Sequence, residues 1–284
     1  MKTLAVEFPR TQVCAVLGVS RSGYYDWLLR KPSQRQRANE QLLALIIGAH
    51  PAARKTYGSP RVAQALKKQN IPCGRHRVAR LMRHHGLRGL QKRAFRPRTT
   101  DSAHPLPIAP NRLKECPAPG QPNQVWVSDI TYIATAQGWL YLAAVMDLSS
   151  RKIVGWATAD HLKTSLVQDA LKRALNHRRP PAGLLHHSDR GCQYASADYR
   201  QLLQSHCILP SMSAAGNCYD NAAMESFFST LKTELIDRQH WLTHAEVNLA
   251  LFDYLEIFYN RQRLHSALDY QSPAQFEKQK PWKN

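Results

Sequence analysis

From Gln124 onward three strand-like stretches follow one another directly, and no other feature of the 284 residues narrows the possible folds so far. Gln124 to Ala134 puts Val125, Val127, Asp129, Thr131 and Ile133 on one face, Gly138 marks a turn, and Trp139 to Asp147 and Lys152 to Thr158 follow as two more strands. Three consecutive strands make an antiparallel meander. The pattern then changes to a helix at about Thr164 to Asn176, a buried strand at Leu184 to His187, a helix near Ala197 to His206, and two helices around Asn221 to Ile236 and Ala245 to Tyr259. Hairpin-linked strands followed by alternating helix and strand predict an α/β layer fold with a mixed sheet flanked by helices.

The residues before this region have a different character. Gln91 to Pro122 is basic, then proline-rich, and lacks hydrophobic periodicity, so residues 91–122 are expected to be a linker between a helical region over 1–90 and a core over 123–284. Residues 1–120 hold 23 Lys and Arg against 5 Asp and Glu, whereas 121–284 hold 16 against 15, so nearly all of the net charge of +19 lies in the first part. Such an excess suits a polyanion, either nucleic acid or an anionic membrane surface. Thr11 to Trp27 has helix-turn-helix spacing, with Cys14 as the small contact residue and Gly18 at the turn. A second pair runs from Ser59, read as a cap, to Gln69, turns at Asn70 to Gly74, and continues from Arg75 to His85. Val78, Leu81 and Met82 form the buried stripe of the last helix, and Arg75, Arg77, Arg80 and Arg83 on its other faces are candidate phosphate contacts.

The longest apolar runs, Leu42 to Ala49 and Trp139 to Met146, fall short of the ~20 residues a membrane span requires, and the N-terminus has no signal-peptide core. A cytoplasmic protein is expected. The six cysteines form no Cys-x-x-Cys pair, which argues for reduced thiols over disulfides or a zinc ribbon.

Three acids occupy positions where a charge is costly. Asp129 is mid-strand among Val, Thr and Ile, Asp189 ends a buried strand where open α/β sheets bind their ligands, and Glu225 borders the stripe Met224, Phe228, Leu231 and Leu235 of its helix. Any one alone reads best as a satisfied surface or capping residue. Together they have the oxygen donors to hold a pair of hard cations on a phosphodiester. Asp147 fits a turn in Asp-Leu-Ser-Ser-Arg, where its side chain caps backbone amides, and His187 is a candidate supporting group beside Asp189.

With 35 residues between Asp189 and Glu225, the set resembles the DD(35)E triad of retroviral integrases and insertion-sequence transposases, and Lys232 matches a basic residue those families place on the same helix face. His187-Ser-Asp-Arg-Gly-Cys-Gln-Tyr194, Asp220-Asn-Ala-Ala-Met-Glu-Ser226, Tyr259-Asn-Arg-Gln-Arg-Leu-His-Ser-Ala-Leu268, Tyr57-Gly-Ser-Pro and Arg80-Leu-Met-Arg-His-His-Gly-Leu87 resemble the OrfB type, the product of an element's second reading frame. The resemblance spans essentially the whole chain. It implies an RNase-H-like core preceded by an all-α, helix-turn-helix-like region. It also implies catalytic and metal-binding roles for Asp129, Asp189 and Glu225, with two Mg²⁺ or Mn²⁺ ions. The expected chemistry is cleavage and strand transfer on DNA, namely element terminal repeats and target, by a homo-oligomer, alone or fused to an upstream-frame product. Lys232, Arg263 and His265 are expected to contact DNA. Residues 1–122 contain no His-x-x-x-His or Cys-x-x-Cys pair like those of the retroviral zinc-binding N-terminal domain. A DNA-binding regulator with a passive second domain would satisfy the charge alone, and an RNase-H-type nuclease would share the metal chemistry. The spaced acids with Lys232 argue against the first, and the basic helices with the linker against the second.

Overall fold

A computed structural model describes residues 4–90, 105–214 and 221–279. Its centre is a five-stranded sheet built from β1 (Val125–Thr135), β2 (Gly138–Asp147), β3 (Ile153–Ala159), β4 (Leu185–Ser188) and β5 (Leu209–Met212), in the order β3-β2-β1-β4-β5. The first three strands pair antiparallel as the sequence predicts. β4 then joins β1, and β5 joins β4, both in parallel. This mixed sheet between helical layers is the expected RNase-H-like architecture.

Both faces of the sheet are covered, which is why β1 is buried on both sides along its first half, from Val125 to Ser128. One face packs on α7 (Thr164–Arg178), α8 (Cys192–Ala195) and α9 (Ala197–Ser205) through Leu166, Ala170, Leu171, Ala174, Tyr199 and Leu203. The approach of α7 to β3 depends on Gly155, because a Cβ there would run into the Ala170 carbonyl and Ala174. The opposite face packs on α10 (Ala222–Glu234), α11 (His244–Phe252) and the π-helical turn Asp253–Tyr259 that continues it, while α12 (Pro273–Gln279) is tied through Glu277 to Lys152 and Arg178. β5 lies outside the strands expected from sequence. It is a short edge strand containing Pro210, which pairing with β4 holds extended.

The N-terminal part is helical: α1 (Leu4–Glu7), α2 (Arg10–Val16), α3 (Arg21–Leu29), α4 (Gln34–Ala52), α5 (Ser59–Lys68) and α6 (Arg75–His84). In the α2–α3 pair Cys14 is buried, Gly18 takes the turn at φ 63° and Ser20 accepts the Gly23 N–H at 3.1 Å. In the second pair Ser59 is the first helical residue instead of the cap, and Gly58 takes the cap position without a side-chain bond. Val78, Leu81 and Met82 are buried as predicted. Their core is continuous with that of the C-terminal helices: Leu42, Ile46, Val62 and Leu66 belong to the same cluster as Leu251, Tyr254 and Phe258.

Residues 91–104 of the expected linker lie outside the described part. Beyond them the chain runs along β5, where Ser211 Oγ accepts the N–H groups of Arg112 at 3.0 Å and Leu113 at 3.2 Å. Among the described residues no helix is long and apolar enough to cross a membrane. Cys14, Cys73, Cys116, Cys192 and Cys207 are unpaired thiols.

Candidate active site

Strand pairing brings the first two acids together. Asp129 stands opposite Ala144 of β2, and on its other side β1 runs parallel to β4 with Val127 opposite His187. Two residues further along each strand direction come Asp129 and Asp189, both half-buried. Asp189 Oδ1 accepts the Gly191 N–H at 3.0 Å, and a Cβ on Gly191 would stand 3.1 Å from that oxygen and 2.9 Å from Gln193 Oε1. A glycine therefore lets the backbone fold closely around the carboxylate.

Glu225 lies in the first turn of α10 and is exposed. The helix is fixed to β1 at its start by Asn221, whose Nδ2 donates to the Ser128 carbonyl at 3.2 Å. Met224, Phe227, Phe228 and Leu231 hold it down along its length. The predicted stripe is correct apart from Leu235, which is only partly buried.

The charges of the other two acids act on Asp129. Burial, first, and then the charges of Asp189 and Glu225 push the Asp129 carboxyl up to about 8. Donation by the Ile130 N–H at 2.7 Å and the charge of Lys232 act in the opposite direction and do not offset this. Lys232 is half-buried on the same helix, with Nζ 4.7 Å from the centre of the Tyr132 ring. Burial lowers its pKa, against the charges of Asp237 and Asp129. The donors are carboxylate oxygens without thiol or imidazole, a set that fits a hard divalent cation. Among the described residues no group of three or more His, Cys, Asp or Glu side chains is placed to hold a metal ion, and Glu225 is exposed.

The neighbouring groups are held in hydrogen bonds. His187 is fully buried and bonded through Nδ1 to Ser211 Oγ at 2.9 Å and through Nε2 to Ser213 Oγ at 3.1 Å, which ties β4 to β5 beside Asp189. His186 meets Ser128 Oγ at 2.8 Å and Tyr199 Oη at 3.1 Å, and burial, assisted by His187, lowers its pKa to about 3. Asp147 has the expected turn role: it is fully buried and accepts from the Asn123 N–H, the Ser150 N–H and the Ser150 hydroxyl.

Arg75, Arg80 and Arg83 are exposed on α6, while Arg77 is half-buried and donates from Nε to Asn39 Oδ1 of α4 at 2.8 Å. A shallow groove between α4 and α6 is lined by Gln34, Arg35, Ala38, His76, Arg77 and Arg80. Sequence reasoning missed Gln34 and Arg35; the available signal was Ser33, which caps α4 by accepting the Gln36 N–H at 3.2 Å. Arg263 and His265, expected to contact DNA, are only 4% and 8% exposed. Arg263 forms a two-pronged pair with Glu234. His265 stacks edge-on against Tyr259, and burial beside Arg263 and Arg61 lowers its pKa to about 3, leaving it neutral.

An integrase core domain family matches residues 119–218, a second integrase core domain family matches 225–280, and an HTH-like domain family matches 37–95. The chain is 49% identical over 264 residues to the insertion element IS600 uncharacterized 31 kDa protein of Shigella sonnei, covering 93% of this chain and 97% of that one. It is 41% identical over 273 residues to transposase InsF for insertion sequence IS3A of Escherichia coli K12, covering 95% and 94% respectively. Among solved structures it resembles a simian T-cell lymphotropic virus intasome chain at 16% identity and a TM-score of 0.48, over 81% of this chain and 73% of that one. The chain belongs to the IS3-type insertion-sequence transposases, a family with a DDE-type integrase core.

Proposed function

We propose that this chain cuts and joins DNA at the ends of an insertion sequence, with Asp129, Asp189 and Glu225 as its catalytic carboxylates. One observation carries the assignment. Asp129 sits half-buried on a central strand beside Asp189 and within the field of Glu225, and nearby groups do not compensate its charge. A buried carboxylate of this kind is destabilising unless a cation completes it. Two Mg²⁺ or Mn²⁺ ions would, when bound, make an attacking oxygen more nucleophilic and stabilise the leaving one.

The protein's own groups then have distinct tasks. Asp129 and Asp189 present oxygens from adjacent strands, whose pairing fixes their separation. Glu225 supplies a third from the start of α10. Lys232, near Asp129, is suited to hold a DNA phosphate beside the reacting bond. Arg75, Arg77, Arg80 and Arg83, together with Arg35 across the groove, make residues 1–90 the main site of DNA affinity, with 91–122 as linker and 123–284 as the catalytic part. Assembly as a homo-oligomer on the element ends, alone or fused to an upstream-frame product, belongs to the same reading.

The test uses the full chain, labelled element ends and Mg²⁺. Asp189→Asn and Glu225→Gln should abolish cleavage and joining while end affinity stays near wild type. Cutting at the wild-type rate by either variant would remove the carboxylate assignment.

A further inference from the structure

The Tyr57-Gly-Ser-Pro and Tyr259-to-Leu268 words contribute no group to the carboxylate site, yet they meet in the interior at the far end of α10. Glu234, the last residue of that helix, is 6% exposed. Arg263 donates to it twice, from Nη2 to Oε1 at 2.7 Å and from Nε to Oε2 at 2.8 Å, and the Tyr254 hydroxyl donates to Oε2 at 2.8 Å. Arg61 of α5 lies 3.9 Å from Oε1. One residue beyond Arg263, the Leu264 N–H donates to the Tyr57 hydroxyl at 2.8 Å. The carboxylate that ends the catalytic helix is thus held by a guanidinium whose backbone is anchored to the helix-turn-helix-like unit.

A buried ion pair adds little cohesion that packed apolar side chains could not supply, and its best-attested use is to fix register. Here the register in question is that of α10. The bidentate geometry tolerates little sliding or rotation of the helix. Asn221 pins the other end of α10 to the Ser128 carbonyl, the residue next to Asp129. Glu225 lies nine residues before Glu234 on this rigid rod, and Lys232 two residues before it.

We infer that Tyr57, Arg61, Glu234 and Arg263 are positioning residues through which docking of the helix-turn-helix-like unit sets the placement of Glu225 and Lys232 against Asp129. The inference rests on the carboxylate assignment above. It also accounts for charged and aromatic residues of both words being buried at a point remote from the carboxylates.

The test combines two readouts on the full chain. The first is hydrogen exchange of the α10 amides, in the absence of DNA and metal. The second is cleavage of labelled element ends in Mg²⁺, separated into end affinity and single-turnover rate. Because Glu234→Gln could unfold the chain by stranding Arg263, the variants are Tyr57→Phe, Arg61→Met and their combination. In the combined variant the α10 amides should exchange roughly tenfold faster while those of β1 and β2 stay protected, as expected for a local opening. The single-turnover rate should fall by about the same factor with end affinity within about twofold. Arg61→Lys, which keeps the charge beside Glu234, should restore both. Unchanged exchange in α10, or faster exchange spread equally over the sheet, would overturn the inference. The exchange readout needs no catalysis, so undiminished cleavage by Asp189→Asn or Glu225→Gln would count against the carboxylate assignment alone and leave the coupling measurable.

Discussion

Replacing Asp129 with Asn should make the metal-free protein more stable while abolishing its activity. The Asp129 carboxyl moves from 3.8 to about 8 on folding. A folded-state pKa above the unfolded value means that the folded protein binds the proton more tightly. Stability is therefore fully present below pH 3.8, declines as pH rises, and reaches its lowest level above about 8. At pH 7 roughly three pH units of that decline have accumulated, an upper bound of ~4 kcal/mol at 1.36 kcal/mol per unit. Half-burial and water penetration reduce this, so the expected gain for Asp129→Asn, which is neutral at every pH, is about 1–3 kcal/mol. For a domain of this size that corresponds to a Tm increase of roughly 3–10 °C. Melting curves in a chelator at pH 5 and pH 8 measure it: the variant's advantage should be larger at pH 8. Mg²⁺ should then raise the Tm of the wild type and not that of Asp129→Asn. The reasoning is refuted if the variant melts below wild type in chelator at pH 8, or if Mg²⁺ stabilises both proteins equally.

Other substitutions separate structural from functional groups. Asp147→Ala leaves three buried donors around Asn123 and Ser150 without their acceptor and should cost about 2–4 kcal/mol in denaturant unfolding, while the stabilisation by Mg²⁺ persists. Gly155→Val forces α7 away from β3 and should lower stability by ~3 kcal/mol or more, read as a fall in the urea midpoint. Arg80→Ala with Arg83→Ala should reduce the slope of log affinity against log salt by roughly one per lost phosphate contact. Arg263→Ala should leave that slope unchanged and instead destabilise the chain by about 3–5 kcal/mol, because Glu234 stays buried without its partner.

The sequence by itself determined the elements with strong local signals. The meander over 124–158, the helix from Thr164 and the stripe of α6 were legible because side-chain periodicity reports directly which face is buried. The two aspartates were legible for a related reason: a charge in the middle or at the end of a hydrophobic strand is costly enough to require an explanation. The Asp147 turn could be read from its own five residues. Where the interaction is long-range, the sequence was silent or misleading. β5 has only four residues, one of them proline, and it is a strand solely because β4 offers it partners. Arg263 and His265 were expected to contact DNA from the family resemblance, and only the return of the chain past α10 supplies the carboxylate that lets Arg263 be buried. The placement of Asp129 beside Asp189 depends on a parallel register between strands 60 residues apart in the chain. Local periodicity sets which face a residue occupies; which partner it meets there is decided by packing across the whole molecule.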